Sequence, residues 1–271
     1  MAKVKAGSRA SRAKPGMRIL VTNDDGINAP GLQVLTRIAQ QLSSDVWVAS
    51  PEEEQSGSAH SLSLSNPIRV RRLSPRKFAI KGTPSDSVLM AVRHIMKDGA
   101  PDLILSGVNR GQNVADDVTY SGTIAAAMEG TLLGIPSIAL SQAFGFGENR
   151  AVKWSTAEHH APDIIRKLVA AGWPKDVLIN INFPDVLPQA VKGIQVTAQG
   201  KRDQSLVRVE ERIDARANPY YWLGFERILS NPSEGTDLHA IYNGMISVSP
   251  LHMNLTHART RSALVAALGN L

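Results

Sequence analysis

Arg18-Ile-Leu-Val-Thr22 is a short, mostly apolar run that ends abruptly at Asn23-Asp24-Asp25-Gly26. A run that brief, bounded by turn residues, reads as a strand buried on both faces inside a parallel sheet. Such a strand needs helices above and below it and crossover connections to its neighbours. The residues that follow supply both. Leu32, Leu35, Ile38, Ala39 and Leu42 recur at helical spacing just past Pro30-Gly31, and a second strand, Asp45-Val-Trp-Val-Ala-Ser50, is cut off by Pro51.

The alternation continues. Residues 67–72 and 78–80 pattern like a half-exposed hairpin, and Pro84 opens a helix bearing Val88, Leu89, Val92 and Ile95. Residues 103–106 form a further buried strand, followed by a Gly/Asn/Asp loop from Gly107 to Asp117. Residues 121–133 read as a helix dense in alanine, with Gly134 placed to end it. Strands at 138–140, 177–181 and 246–250, a helix at 154–171 and a closing helix complete the pattern, and no fixed period repeats. This predicts an α/β chain with a parallel sheet covered on both faces and an irregular C-terminal third.

Composition then bounds the function. The 271 residues, 43% of them hydrophobic, suffice for one large core or two small ones, and residues 17–271 read as a single domain. Of 30 basic residues, Lys3, Lys5, Arg9, Arg12 and Lys14 precede Met17, leaving 25 against 24 acidic ones. The excess charge therefore belongs to a disordered basic leader, residues 1–16, and not to a folded face that would grip nucleic acid. The leader lacks the apolar stretch of a secretory signal, no run of about 18 apolar residues suggests a membrane span, and there is no cysteine. The expected compartment is the cytoplasm. Residues 201–235, highly charged and then aromatic at Pro219-Tyr-Tyr-Trp222, read as an extended arm that packs on another copy of the chain.

In open α/β sheets ligands bind beyond the carboxyl ends of the strands. Three polar loops leave strands here: Asn23-Asp24-Asp25-Gly26, Glu53-Glu54-Gln55-Ser56-Gly57-Ser58 and Ser106-Gly107-Val108-Asn109. Adjacent aspartates repel unless solvated, protonated or joined by a cation, and their oxygens suit Mg²⁺ or Mn²⁺; the same four residues also make a good solvated turn. Ser121-Gly122-Thr123 heads a helix whose N–H groups could cradle phosphate, although Ser also serves as a plain N-cap. Rival motifs fail: Gly26 and Gly31 have Walker spacing but Leu32-Gln33 follows, and no GxGxxG, GxSxG or HExxH is in place. Among the histidines only His60 sits in a candidate loop.

Ile19-Leu-Val-Thr-Asn-Asp-Asp-Gly-Ile-Asn-Ala-Pro-Gly31, Gln55-Ser-Gly-Ser58, Gly82-Thr-Pro-Ser-Asp86, Ser106-Gly-Val-Asn109 and the block from Asp116 to Gly130 together resemble the survival protein SurE family of nucleotidases. Pro219-Tyr-Tyr-Trp222, Thr236-Asp237 and Ser249-Pro-Leu251 are similar to its later landmarks, so the likeness runs from Met17 to about Thr256. The resemblance implies a Rossmann-like three-layer α/β/α fold and metal-dependent hydrolysis of nucleoside 5′- and 3′-monophosphates. It also implies homodimers or homotetramers built through C-terminal segments. It would make Asp24, Asp25, Ser56 and Asn109 the ligands of one divalent metal cation, with Asp24 and Asp25 catalytic. Asn113, Ser121, Gly122 and Thr123 would hold the phosphate. Glu54, His60 and Ser87 depart from the family pattern without removing a ligand. The competing expectation is a non-catalytic sensor that binds nucleotide and metal and acts through its oligomer.

The leader has no counterpart in that pattern. Deleting residues 1–16 is expected to leave phosphatase activity and melting temperature unchanged, and a clear loss of either would show that the leader contributes to the fold or the site.

Overall fold

The structure is a computed structural model that describes residues 16–145, 151–202, 207–225 and 229–269; the leader up to residue 15 lies outside them. Its first strand, β1 (Arg18–Thr22), alternates as a doubly buried strand must. Ile19 and Val21 join one core with α1 (Pro30–Gln40), and Leu20 joins another on the opposite face. α1 starts with Pro30 in its first turn and buries Leu32, Val34, Leu35, Ile38 and Ala39 on one side.

The chain then runs through β2 (Asp45–Pro51), β3 (Arg69–Ser74), β4 (Lys77–Lys81) and α2 (Pro84–Met90). Thr83 and Asp86 form a reciprocal capping box at the start of α2. The helix read as continuing to Ile95 gives way after Met90 to a wider turn at Ala91–Ile95. Next come β5 (Leu103–Arg110), a 3₁₀ turn at Ala115–Thr119, α3 (Gly122–Leu132), β6 (Ser137–Gln142), α4 (Trp154–Ala171) and β7 (Val177–Phe183). The C-terminal third holds β8 (Ile194–Val196), β9 (Val207–Ile213), β10 (Pro219–Phe225), α5 (Asp237–Tyr242), β11 (Ile246–His252) and α6 (Ala258–Leu268).

Nine strands make one sheet in the order β3-β4-β2-β1-β5-β6-β7-β11-β8. From β4 to β7 every pairing is parallel, as the buried runs require. The margins differ. β3 lies antiparallel to β4 because two residues are too few for a crossover, and β11 lies antiparallel to β7. α1 and α4 cover one face, with Ala157, Ala161, Ile164 and Ile165 of α4 in the larger core. α2 and α3 cover the other through Val88, Ile124, Ala126 and Ala127. This is the three-layer α/β/α arrangement, and α3 meets the sheet through Ile124, Ala126 and Ala127.

After β1 the chain builds outward through β2 and β4; it then returns to the other side of β1 with β5 and builds outward through β6 and β7. The connectivity therefore reverses between β1 and β5, where Thr22 pairs with Ser106. At such a point adjacent strand-end loops splay apart and leave a crevice.

One reading changes here. The polar stretch after Ser106 does not leave the sheet as a loop. β5 breaks register between Ser106 and Asn109 and then resumes, pairing Asn109 with Ser141 and Arg110 with Gln142. Gly107 permits the break: its φ is +130°, and a Cβ there would stand 2.1 Å from the Leu140 carbonyl oxygen. Asn109 is thus fixed on a strand.

The arm is a separate antiparallel hairpin of β9 and β10, with Val209, Ile213, Tyr220, Tyr221, Trp222 and Leu223 exposed. α6 buries none of its residues. Among the described residues no helix is long and apolar enough to cross a membrane.

Candidate active site

Asn23 shapes the turn that follows β1. Its amide donates to the Gly26 carbonyl at 3.1 Å, and its Oδ1 accepts the Ser50 hydroxyl of β2. With that side chain locked, Asp24 and Asp25 leave the strand end in fixed directions. The loop after β2 is tied to the same turn: Ile27 N–H donates to the Pro51 carbonyl and Gln55 N–H to the Asp24 carbonyl, both at 2.8 Å. The topology had proposed that the first two strand-end loops converge, and these bonds join them.

Asp24 is 5% exposed. Its Oδ1 accepts the Thr123 hydroxyl at 2.5 Å, and the Thr123 backbone N–H also favours its ionised form. Gly122 is what lets the helix approach so closely, since a Cβ there would stand 2.7 Å from the Asp24 Cβ. Asp24 therefore occupies part of the positive end of α3, the place assigned from sequence to a phosphate. Thr123 is turned to the aspartate. Ser121 is the N-cap of α3, its Oγ accepting the Ile124 N–H at 3.1 Å, which leaves the hydroxyl proton available. Gly122, in the first turn, keeps an N–H with no acceptor inside the helix.

Even with that help the carboxyl group of Asp24 is pushed up to about 7, first by burial and then by the charge of Asp25, while Thr123 pulls it back. Asp25 is half-buried and is also raised, chiefly by burial and further by the charge of Glu54. The Arg110 N–H, 3.4 Å from Asp25 Oδ2, and the Arg110 charge oppose that rise. Arg110 was not singled out from sequence, although it directly follows Asn109; its guanidinium lies 5.4 Å from the centre of the Phe144 ring.

The remaining residues fall into two groups. Asn109 gives its amide N–H to the Gly111 carbonyl at 2.9 Å, so its Oδ1 is the free end. Asn113 is buried beyond it, donating from Nδ2 to Ser141 at 2.9 Å, while Asn182 Oδ1 accepts its backbone N–H. Ser141 is the register partner of Asn109, so the two asparagines lie on one polar row. Ser56 shares the loop tied to Asp24, but it is exposed and its hydroxyl donates to Glu54 at 2.8 Å. His60 is bound to the buried Glu129 of α3 at 3.0 Å and is not directed at the aspartate pair.

Among the described residues no group of three or more His, Asp or Glu is set to hold a metal. A cation here would be held by two carboxylates and neutral oxygens, the Asn109 amide oxygen among them. That donor set fits a hard ion such as Mg²⁺ or Mn²⁺. The deficit left on Asp24, and the unpartnered buried hydroxyls of Thr22 and Ser106 at the same strand ends, agree with a missing partner.

Comparison with known proteins gives concordant results. The family described as survival protein SurE matches residues 19–206. A protein of Parvibaculum lavamentivorans named 5′-nucleotidase SurE is 74% identical over 262 residues, covering 97% of this chain and 95% of that one. A protein of the same name from Methylobacterium sp. strain 4-46 is 58% identical over 253 residues, 93% of this chain and 100% of its own. The crystal structure of the SurE protein from Aquifex aeolicus superposes with a TM-score of 0.79 at 38% identity, covering 93% of this chain and 99% of that one.

Because the folded carboxyl of Asp24 titrates above its unfolded value of about 4, the cation-free protein draws stability from its proton in acid and loses it as pH rises towards 7. A divalent ion competes with that proton. Thermal melts with and without Mn²⁺ are expected to show a larger rise in Tm at pH 8 than at pH 5.5, with Asp24→Asn removing the difference; equal shifts at both pH values would contradict the assignment.

Proposed function

The chain belongs to the survival protein SurE family and is a nucleotidase, and from that premise we propose that it is a metal-dependent phosphomonoesterase that hydrolyses nucleoside 5′- and 3′-monophosphates to nucleoside and inorganic phosphate. The observation that carries the proposal is the aspartate pair at the sheet's reversal point, with Asp24 buried beside Asp25 and short of compensating charge. Asp24, Asp25, Ser56 and Asn109 are the proposed metal ligands. Ser56 would have to exchange its bond to Glu54 for the ion. The bound ion, Mg²⁺ or Mn²⁺, would supply charge neutralisation for the phosphate and lower the pKa of a coordinated water.

The chain's own groups divide the remaining work. Asp25, the more exposed of the pair, orients the attacking water, whose oxygen forms the new bond to phosphorus as the ester P–O bond breaks. The proton released from water ends on the departing nucleoside oxygen. Asp24 is held still by Thr123 and by the helix start, so the pair does not have to reorganise during the reaction. The Ser121 hydroxyl proton, the Gly122 N–H and the second Asn113 amide proton are the donors for the remaining phosphate oxygens.

The exposed hairpin supports a homodimer or homotetramer. Trp222 is 57% exposed and Leu223 75%, on a two-stranded sheet that cannot bury them by itself. A chain without cysteine suits the cytoplasm.

Phosphate release from nucleoside 5′- and 3′-monophosphates, measured with Mg²⁺ or Mn²⁺ and again with a chelator, tests the activity. Release that requires the divalent ion is expected; binding of nucleotide and metal with no release would favour a sensor. Asp25→Asn removes the charge and keeps the shape, so turnover should fall to background in a protein that still melts cooperatively. Near-normal, metal-dependent rates in that variant would overturn the role of Asp25.

A further inference from the structure

Asn113 and Ser121, the two phosphate-side residues that flank the turn before α3, are separated by a stretch that buries Val114, Ala115 and Val118 and leaves Asp116 and Thr119 exposed. Its middle is held from outside. Arg202, just before the hairpin arm, directs a guanidinium only 7% exposed at Asp117, with Nη2 2.6 Å from Oδ2 and Nε 3.2 Å from Oδ1. The Arg202 backbone N–H donates to Asp116 Oδ2 at 2.8 Å, and the Gln199 amide donates to the Ala115 carbonyl at 2.9 Å. Asp237, fully buried, accepts the Ala115 N–H on one oxygen and the Gly200 N–H on the other, at 2.9 and 2.8 Å. Three consecutive residues of the turn are thus fixed by residues 199–202 and the start of α5.

From this geometry we infer that Arg202 is a positioning residue for the phosphate side of the site: its forked pair with Asp117 sets where Asn113 and Ser121 stand, without touching substrate. The inference rests on the nucleotidase reading and adds to it a residue far along the chain. Asp117 lies four positions from each of the two donors, so a shift of the turn moves both. Adjacent carboxylates at 116 and 117 would otherwise suggest a second cation site, but each already accepts a donor from Arg202. The arginine side chain is 7% exposed and the aspartate 21%, so removing the arginine leaves a carboxylate that water solvates only in part. Two parallel N–H···O bonds fix a direction that a lysine's single ammonium does not reproduce.

The consequence is selective. The aspartate pair is anchored through Asn23, Gln55 and Thr123, none of which contacts residues 115–117 or 199–202 in the bonds described. Weakening the Arg202 fork should impair grip on phosphate and spare the cation.

The test uses the full chain with Arg202→Ala, Arg202→Lys, Asp117→Asn and the double variant Arg202→Ala/Asp117→Asn. A displacement of about 1 Å can cost about 100-fold, so KM for a nucleoside 5′-monophosphate is expected to rise about 10- to 100-fold in Arg202→Ala and Asp117→Asn. In both, kcat should change by less than about threefold and the Mn²⁺ concentration for half-maximal rate by less than about twofold, because these contacts serve binding more than the chemical step. The double variant should be no worse than either single one, and Arg202→Lys should recover only part of the loss. Unchanged KM, a Mn²⁺ requirement that rises in step with KM, or full recovery by lysine would overturn the proposal. Hydrogen exchange needs no turnover and separates this inference from the activity itself. Faster exchange of amides 113–121 in Arg202→Ala, with β1 unchanged, supports the holding role even if no nucleotide is hydrolysed; identical exchange in that turn refutes it.

Discussion

Asp24 and Asp25 leave β1 side by side, and the burial of Asp24, compounded by the charge of Asp25, is the constraint around which the neighbouring strand ends are arranged. A protein can relieve such a pair by solvating it, protonating it or placing positive charge against it. Here the first remedy is blocked by burial. The third is supplied in part: α3 turns its N-terminus towards Asp24, Thr123 donates its hydroxyl, and Arg110 stands beside Asp25. Even so, burial leaves both carboxyl groups raised above the ordinary carboxylate range. On the proposed reading a small divalent ion bound by oxygen would offset that rise, and Gly122 packs closely against Asp24.

Much of this was legible in the residues. The strands β1, β2 and β7 and the helices α1 and α4 announce themselves because burial on both faces, or on one stripe, writes an unambiguous period. The reversal of connectivity follows from chain order once the strands are placed. What resisted reading was set by contacts distant in sequence. Asn109 was placed on a loop because Gly-Val-Asn is turn-like locally; the pairing with Ser141 that returns it to the sheet depends on a strand 32 residues away. The antiparallel margin at β11 likewise has no local signal.

The same limit explains the site's partners. Ser121 could be either a cap or a phosphate donor, and the structure shows that it caps while keeping a proton to give. Thr123 shares its helix start but faces Asp24, because the carboxylate reaches the helix end first. Arg202 lies in a stretch whose charges read only as an arm, and Asp237 stood out only as a landmark of the family resemblance, yet their side chains hold the turn before α3. On the role proposed for Arg202, the irregular C-terminal third would complete the site that the regular α/β body begins.

The proposed function needs one divalent ion held at Asp24 and Asp25. Crystals of the full chain grown with Mn²⁺ and measured at a wavelength where manganese scatters anomalously test this directly. One anomalous peak per chain at Asp24 and Asp25, near the Asn109 amide oxygen, is the predicted result. Aspartates that diverge into solvent with no peak between them, or a peak elsewhere in the molecule, would contradict it.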